Sequence, residues 1–324
     1  MDDKDIISLS KELNEPKWLL QERLKSYKVF TVLSAGKPQS ESPATSAKIS
    51  AKCVGIRKDS LHDFLEDKNR KDIAKNIFMN RYFQPEHSIQ AAFANAFFNE
   101  CNFFGSEDGG KAGKEERKGK IELRSNGGIS LNFFMPPESY SLEISSTCSG
   151  SHLFEHYISE SSSCTFNSSI LGSPSGDSNS SSEVCALLFG KKASYRETSL
   201  ISLSSSQQAY AGRYCIHISP ETISNISVRG VVRDSAKATV DGLVKIEKGA
   251  VESDSNISAH VLLLDAGARA RADPKMEILN NDVSAKHSAS VGEIDSEHIF
   301  YLMSRGMGEK EAKETIVEGF LGKL

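Results

Sequence analysis

The sequence predicts a mainly β protein: a right-handed parallel β-helix flanked by N-terminal and C-terminal α-helical segments. Two observations carry this. The phrases VKIEKGA and LLLDAGA place Gly249 and Gly267 eighteen residues apart, each closing a leucine-rich or β-branched run of strand length. Such a regular spacing is the mark of stacked solenoid coils, and here it is read as one coil. The other is a change of period. SEHIFYLMSRGMGEKEAKETIVEGFL turns from the alternation of strands to the 3.6-residue spacing of amphipathic helices, so a helical handle follows the β region.

Between these landmarks the elements follow in order. A helix is expected over about residues 15–30, with Asn14 as N-cap, Glu15 and Pro16 in the first turn, and an apolar stripe of Trp18, Leu20, Leu24 and Tyr27. SAGKPQSESPATSAKIS, ending at Ser50, reads as a loop. Residues 60–100 are helix-leaning and then aromatic, which suggests a helix handing over to the first strands. Ser106–Lys120, charged with both signs and rich in Gly, reads as a solvated loop. From Ile121 come short apolar runs such as IEL, ISLNFF, YSLEIS, VCALLF and TVDGLVKI. In Ser161–Ser182 eleven residues are Ser, so this stretch has little to bury and is expected to leave the solenoid as a loop or loose coil. The domain reading is 1–90 helical with a loop, 91–291 β-helix, and 292–324 helical.

A chain of 324 residues, 38% hydrophobic and 25% charged, is large enough for a real core. Its net charge of -4 gives no electrostatic reason to expect nucleic acid or an anionic membrane. The acidic start MDDKDIISLSKEL lacks the pattern of a secretory or transit leader, and a cytoplasmic location is the plain expectation. Six cysteines, Cys53, Cys101, Cys148, Cys164, Cys185 and Cys215, form no C-x-x-C pair or tight cluster. The chain holds no G-x-x-x-x-G-K-[ST] loop, so no ATP site is expected in it, and no G-x-S-x-G elbow.

His152, Glu155 and His156 spell H-x-x-E-H, the inverted zinc-peptidase signature, which requires both histidines on one helical face. Their flanks STCSGS and YISESSS are non-helical. On a strand the two histidines lie about 13 Å apart, too far for one zinc whose bonds are about 2 Å. A β-helix polysaccharide enzyme would need clustered acids, whereas Asp234, Asp241, Asp254 and Asp265 are spread over several turns. Cys215, with His217 on the same face, is either a soft ligand site or a packed thiol.

The run PKMEILNNDVSAKHSASVGEIDSEHIFYLMSRGMGEKEAKETIVEGFL resembles the C-terminal part of the SufB/SufD family of iron–sulfur cluster assembly proteins. NEPKWLLQERLKSY and AAFANAFFNE resemble earlier parts of the same family. The resemblance implies the same β-helix and a non-catalytic subunit working with a SufC-type ABC ATPase. It also implies a dimer with a second copy or a SufB/SufD paralogue, and a transient iron–sulfur cluster shared across that interface. It places His287 at the histidine implicated in cluster assembly, the metal candidate. Departures accompany this: Ala259 and Ala285 stand where the family's thiols are expected, and Lys286 and Ser288 where carboxylates flank the histidine. His260 is the nearest alternative ligand, though a regular strand points it to the face opposite residue 259. The resemblance assigns ATPase docking to the handle, through Ile299, Phe300, Leu302, Met303, Arg305 and Met307. The alternative is that both helices only cover the open end of the solenoid.

Overall fold

The computed structural model describes residues 3–12, 15, 17–33, 49–54, 56–60, 100–106, 117–125, 129–135, 140–149, 152–159, 162–171 and 179–322. The Asn14 cap, most of the expected 34–50 loop, the 60–100 transition and residues 107–116 fall outside them. Helices α1 (Asp3–Glu12) and α2 (Lys17–Leu33) come first. The second is the helix expected from the sequence, although among its described side chains the most buried are Leu19, Arg23 and Ser26. Arg23 explains the offset: its guanidinium grips Glu15 through two hydrogen bonds, of 2.6 Å and 2.7 Å. A charge held in this bidentate way can be buried.

Among the described residues sixteen strands follow: β1 (Ile49–Val54), β2 (Ile56–Ser60), β3 (Glu100–Ser106), β4 (Arg117–Ser125), β5 (Ile129–Met135), β6 (Tyr140–Cys148), β7 (His152–Ser159), β8 (Ser163–Leu171), β9 (Asn179–Leu188), β10 (Ser194–Leu203), β11 (Gln208–His217), β12 (Ile223–Val232), β13 (Lys237–Ile246), β14 (Ser253–Leu263), β15 (Arg269–Ile278) and β16 (Val283–Glu293). They build two sheets, ordered β1-β4-β6-β8-β10-β12-β14-β16 and β15-β13-β11-β9-β7-β5-β3-β2. The pairings β1–β4 and β2–β3 are antiparallel and the others parallel. From β3 onward the chain alternates between the two walls, giving the parallel β-helix that the sequence predicts.

The spacing of the coils differs from the expectation. Ser194 pairs with Ile223 and Lys237 with Arg269, so a circuit of the C-terminal coils takes 29 to 32 residues and two strands, and the shorter circuits from β4 to β6, β5 to β7 and β6 to β8 take 22 or 23, none of them eighteen. Gly249 and Gly267 mark successive corners on opposite edges of the walls. Four corners carry a small buried residue, Ala193, Ala236, Ala250 or Ala268, where the chain bends over the core without filling it. Corner residues Lys192, Ser205, Glu221, Asp234 and Glu252 sit at positive φ, and stacked corners bond one another. Ser205 N–H donates to Asp234 and Asp234 N–H donates to Asp265. At Gly267 a Cβ would lie 2.6 Å from the Asp234 carbonyl oxygen, so this stacking needs glycine.

The serine-rich stretch 161–182 is a second correction. Most of its described part lies in β8 and the start of β9, with Ser162, Ser168, Ser180, Ser181 and Ser182 buried. The reason is a polar layer inside the solenoid. Arg213, fully buried, forms an ion pair with Glu197 and donates to Ser199, Ser168, Ser182 and the Ser182 carbonyl. Tyr195 and Ser199 complete the shell around Glu197. Hydroxyls that look like loop composition are the partners that allow an interior charge pair. Around it the core is apolar, with Ile170, Ile201, Ile226, Val228, Val240, Val244, Ile257 and Val261 among its members and Phe134, Tyr157, Phe166 and Tyr195 in ring contact.

Helices α3 (Ser296–Ser304) and α4 (Glu309–Leu321) end the described chain. Asp295 caps α3 by accepting from Glu297 N–H at 2.8 Å, and Gly306 at φ 97° lets the chain reverse. Ala312 and Val317 bury the inner side of α4. Arg229 on β12 donates to the Phe320 carbonyl at 2.7 Å, and Arg233 pairs with Glu314. The second helix thus lies on the flank of the solenoid. Among the described residues no helix is long and apolar enough to cross a membrane.

Candidate functional site

Alternation along β14 sends Ser253, Ser255, Ile257, Ala259 and Val261 inward, and Asp254, Asn256, Ser258 and His260 outward. The parallel register carries this to β16, where Val283, Ala285, His287, Ala289 and Val291 stand over the inward set. His287 therefore sits directly above Ile257 on the inner face of the last strand. Among the described residues no further strand pairs with β16, so the ring is exposed at the mouth of the solenoid, where its Nδ1 lies 3.2 Å from the Pro274 carbonyl of β15. Other inward residues of this end are the partly buried Ala270, Ala272, Met276, Val283 and Ala285. The mouth is thus an apolar ring carrying one imidazole.

The other sequence candidates lie elsewhere. His260 projects from the outer face, as the alternation required, with Nδ1 2.7 Å from Ser290 Oγ. His260 and His287 are on opposite sides of one wall. Cys215 faces inward but is fully buried on β11, two strands before β15 in its sheet, and burial pushes its thiol up to about 12. Its neighbour His217 has both ring nitrogens engaged, Nδ1 with Thr222 Oγ1 and Nε2 with Ser224 Oγ, each at 2.8 Å. Ser253 and Ser255 extend those bonds to the next coil. Desolvation lowers the pKa of His217 to about 4. Ala259, at 2% exposure, packs in the core, and Ala285 stands over Ser255. Cys148, Cys164 and Cys185 are buried too.

The H-x-x-E-H triplet lies on β7, an extended strand paired with β5 and β9, so its backbone is not the helix that the zinc chemistry requires. The four aspartates remain apart. Asp234 and Asp265 belong to stacked corners, Asp241 pairs with Arg271 on the outer face of one wall, and Asp254 is exposed on the other. Among the described residues no group of three or more His, Cys, Asp and Glu side chains could hold a metal ion.

On α3 and in the turn after it, the apolar side chains that the sequence singles out divide by exposure. Phe300 is 73% and Met303 43% exposed, whereas Ile299, Leu302 and Met307 are half-buried. Tyr301, 56% exposed and absent from the sequence-based set, belongs to the same patch. The Arg305 guanidinium lies 5.3 Å from the centre of its ring, within reach of the π face. Its signal was the aromatic pair Phe300-Tyr301. Pro274 was also missed, because the contact with His287 depends on the meeting of two walls and not on sequence spacing.

The match with known proteins bears on this end of the molecule. Residues 146–320 match the family model described as "SUF system FeS cluster assembly, SufBD core domain". The chain belongs to the SufB/SufD family. It is similar to the iron–sulfur cluster assembly protein SufB of Bacillus subtilis, 36% identical over 135 residues, which are 42% of this chain and 29% of that protein. SufD of the same organism is 38% identical over 109 residues, 34% of this chain and 25% of SufD. An iron–sulfur cluster assembly SufBD family protein of Mycobacterium tuberculosis is 36% identical over 115 residues, 36% of this chain and 14% of that protein. The matched segments thus span less than a third of these relatives. The family match includes β14, β16, His287 and most of the helical pair.

Proposed function

We propose that this SufB/SufD-family chain is a non-catalytic subunit of a Suf-type iron–sulfur assembly complex, and that His287 presents a metal-binding nitrogen at the open end of its β-helix. The observation that carries the reading is His287 itself: among the described residues, the one exposed imidazole directed inward over the last coil, in a chain of this family. Imidazole suits iron, and an exposed ring over an apolar mouth is accessible to a cluster in transit. The cluster is cargo here. One imidazole cannot hold it, and the alanines at 259 and 285 contribute no thiolate. The described thiols are buried, with Cys185 and Cys215 pushed up by desolvation. In this reading the remaining ligands come from a partner's cysteines, and the dimer is one with a thiol-bearing paralogue. The edges of β15 and β16, which pair with no further described strand and leave Ile278, Leu279 and Val291 exposed, are the surface for that partner.

The second contact is with a SufC-type ATPase, through Phe300, Tyr301 and Met303 on α3. Helix α3 has no buried residue, and α4 lies on β12 instead of across the mouth, so the pair is better placed for docking than for covering the end. Replacing both anchors, Phe300→Ala with Met303→Ala, is expected to weaken co-purification with the ATPase at least tenfold, in keeping with the loss of two interface anchors at ~1–2 kcal/mol each. Circular dichroism of the double variant should stay unchanged. Full binding by the folded variant would refute the docking assignment.

A further inference from the structure

We infer that Pro274 is a positioning residue for His287, fixing its neutral ring as the Nδ1–H tautomer so that Nε2 is the donor atom offered at the mouth. This rests on the reading above for its purpose, but the tautomer itself does not depend on that reading.

The Nδ1 of His287 lies 3.2 Å from the Pro274 carbonyl. A carbonyl oxygen can only accept, so in the neutral ring this nitrogen must carry the proton. The other nitrogen then holds the lone pair. Free imidazole side chains in water favour the opposite tautomer, so this contact selects the less common form. A ring nitrogen donating to a backbone carbonyl while the other faces a metal is the usual arrangement around metal-binding histidines, and losing such a partner typically costs about 10–100-fold in metal affinity.

The support beneath this contact is built from particular residues. Pro274 pairs with Gly242 across the β13–β15 ladder. A Cβ on Gly242 would come 2.6 Å from Ile257 Cδ1 and 3.6 Å from Pro274 Cα. Ile257 therefore occupies the space that the glycine leaves open, and it is the residue directly below His287. The missing side chain at 242 seats Ile257, Ile257 carries the imidazole, and Pro274 meets it from the facing wall. Proline suits the place. A residue's N–H and C=O leave an extended strand on the same edge, so the edge that offers the carbonyl to His287 is the one where a lost N–H breaks no ladder bond.

The test is long-range proton–nitrogen NMR on the full chain labelled with nitrogen-15 in its histidine rings, with the His287 signals identified by their loss in His287→Gln. The expected result for the neutral ring is a protonated, pyrrole-type Nδ1 and a pyridine-type Nε2. A pyrrole-type Nε2 would overturn the inference. Gly242→Ala, which pushes on Ile257, should move His287 toward the Nε2–H form and lower cobalt(II) affinity about 10–100-fold. Should that variant not fold, Pro274→Gly, which keeps the carbonyl but frees the backbone, should give a smaller shift in the same direction. An unchanged tautomer in the folded variants would count against the positioning role. Wild-type protein that shows the Nδ1–H form yet forms no cluster with a cysteine-bearing paralogue would leave the positioning supported and count against the assembly reading.

Discussion

Two histidines on inward faces, His217 in the middle of the solenoid and His287 at its end, have opposite chemical prospects. Coils lie on both sides of His217. Thr222 and Ser224 take both of its nitrogens, Ser253 and Ser255 back them, and desolvation keeps the ring neutral. The coil of His287 has no successor among the described strands, so one nitrogen meets the Pro274 carbonyl and the ring stays exposed. In a stacked architecture the residue type and the strand face are the same at both places. Whether another coil follows decides between structure and chemistry. Cys215, beside His217, shares its enclosure.

The largest loss of stability is expected in the interior. Glu197→Gln removes the charge that compensates Arg213 and leaves a buried guanidinium unpaired. It is expected to lower unfolding stability by ~3–5 kcal/mol in a chemical denaturation series. A loss below about 1 kcal/mol would mean that water reaches the pair.

Next comes His217. Its folded pKa, about 4, is below the ordinary value of 6.5, so the unfolded chain binds the extra proton first as the pH falls. The stability from keeping the ring neutral is fully present above pH 6.5, declines as the pH drops, and is gone below about 4. A difference of this size corresponds to roughly 3 kcal/mol. His217→Gln should be less stable at neutral pH and should flatten that part of the pH profile. An equally steep profile in the variant would assign the effect to other groups.

The smallest effect belongs to the end of the molecule. His287→Ala removes an exposed ring with one hydrogen bond and is expected to shift unfolding stability by no more than about 0.5 kcal/mol. A loss of about 2 kcal/mol or more, the range of buried structural side chains, would make His287 a structural residue and contradict its reading as a functional one.

The β-helix and its helical handle were legible because alternation, the small residues at corners and the switch to helical spacing are local features. Asp295 and Gly306, residue types that mark helix ends locally, bound α3. The coil length was not legible from Gly249 and Gly267, since corners on opposite edges look alike in sequence. Nor was the fate of the serines in 161–182. Their partner Arg213 is 31 residues from Ser182 and 45 from Ser168, and only the stacking brings them together. At the candidate site, position 287 was indicated by family likeness and its inward direction by alternation. The Pro274 contact crosses between walls, and no local pattern encodes it.

The central claim is that this chain contributes His287 to a cluster whose thiolates come from another subunit. The direct measurement is anaerobic reconstitution with iron and sulfide, followed by visible absorption, on the chain alone, with a cysteine-bearing paralogue, and with His287→Ala in place of the wild type. The account expects no cluster on the lone chain, a cluster with the paralogue present, and its loss or marked weakening in the variant pair. A cluster of unchanged intensity and lifetime with His287→Ala would contradict it.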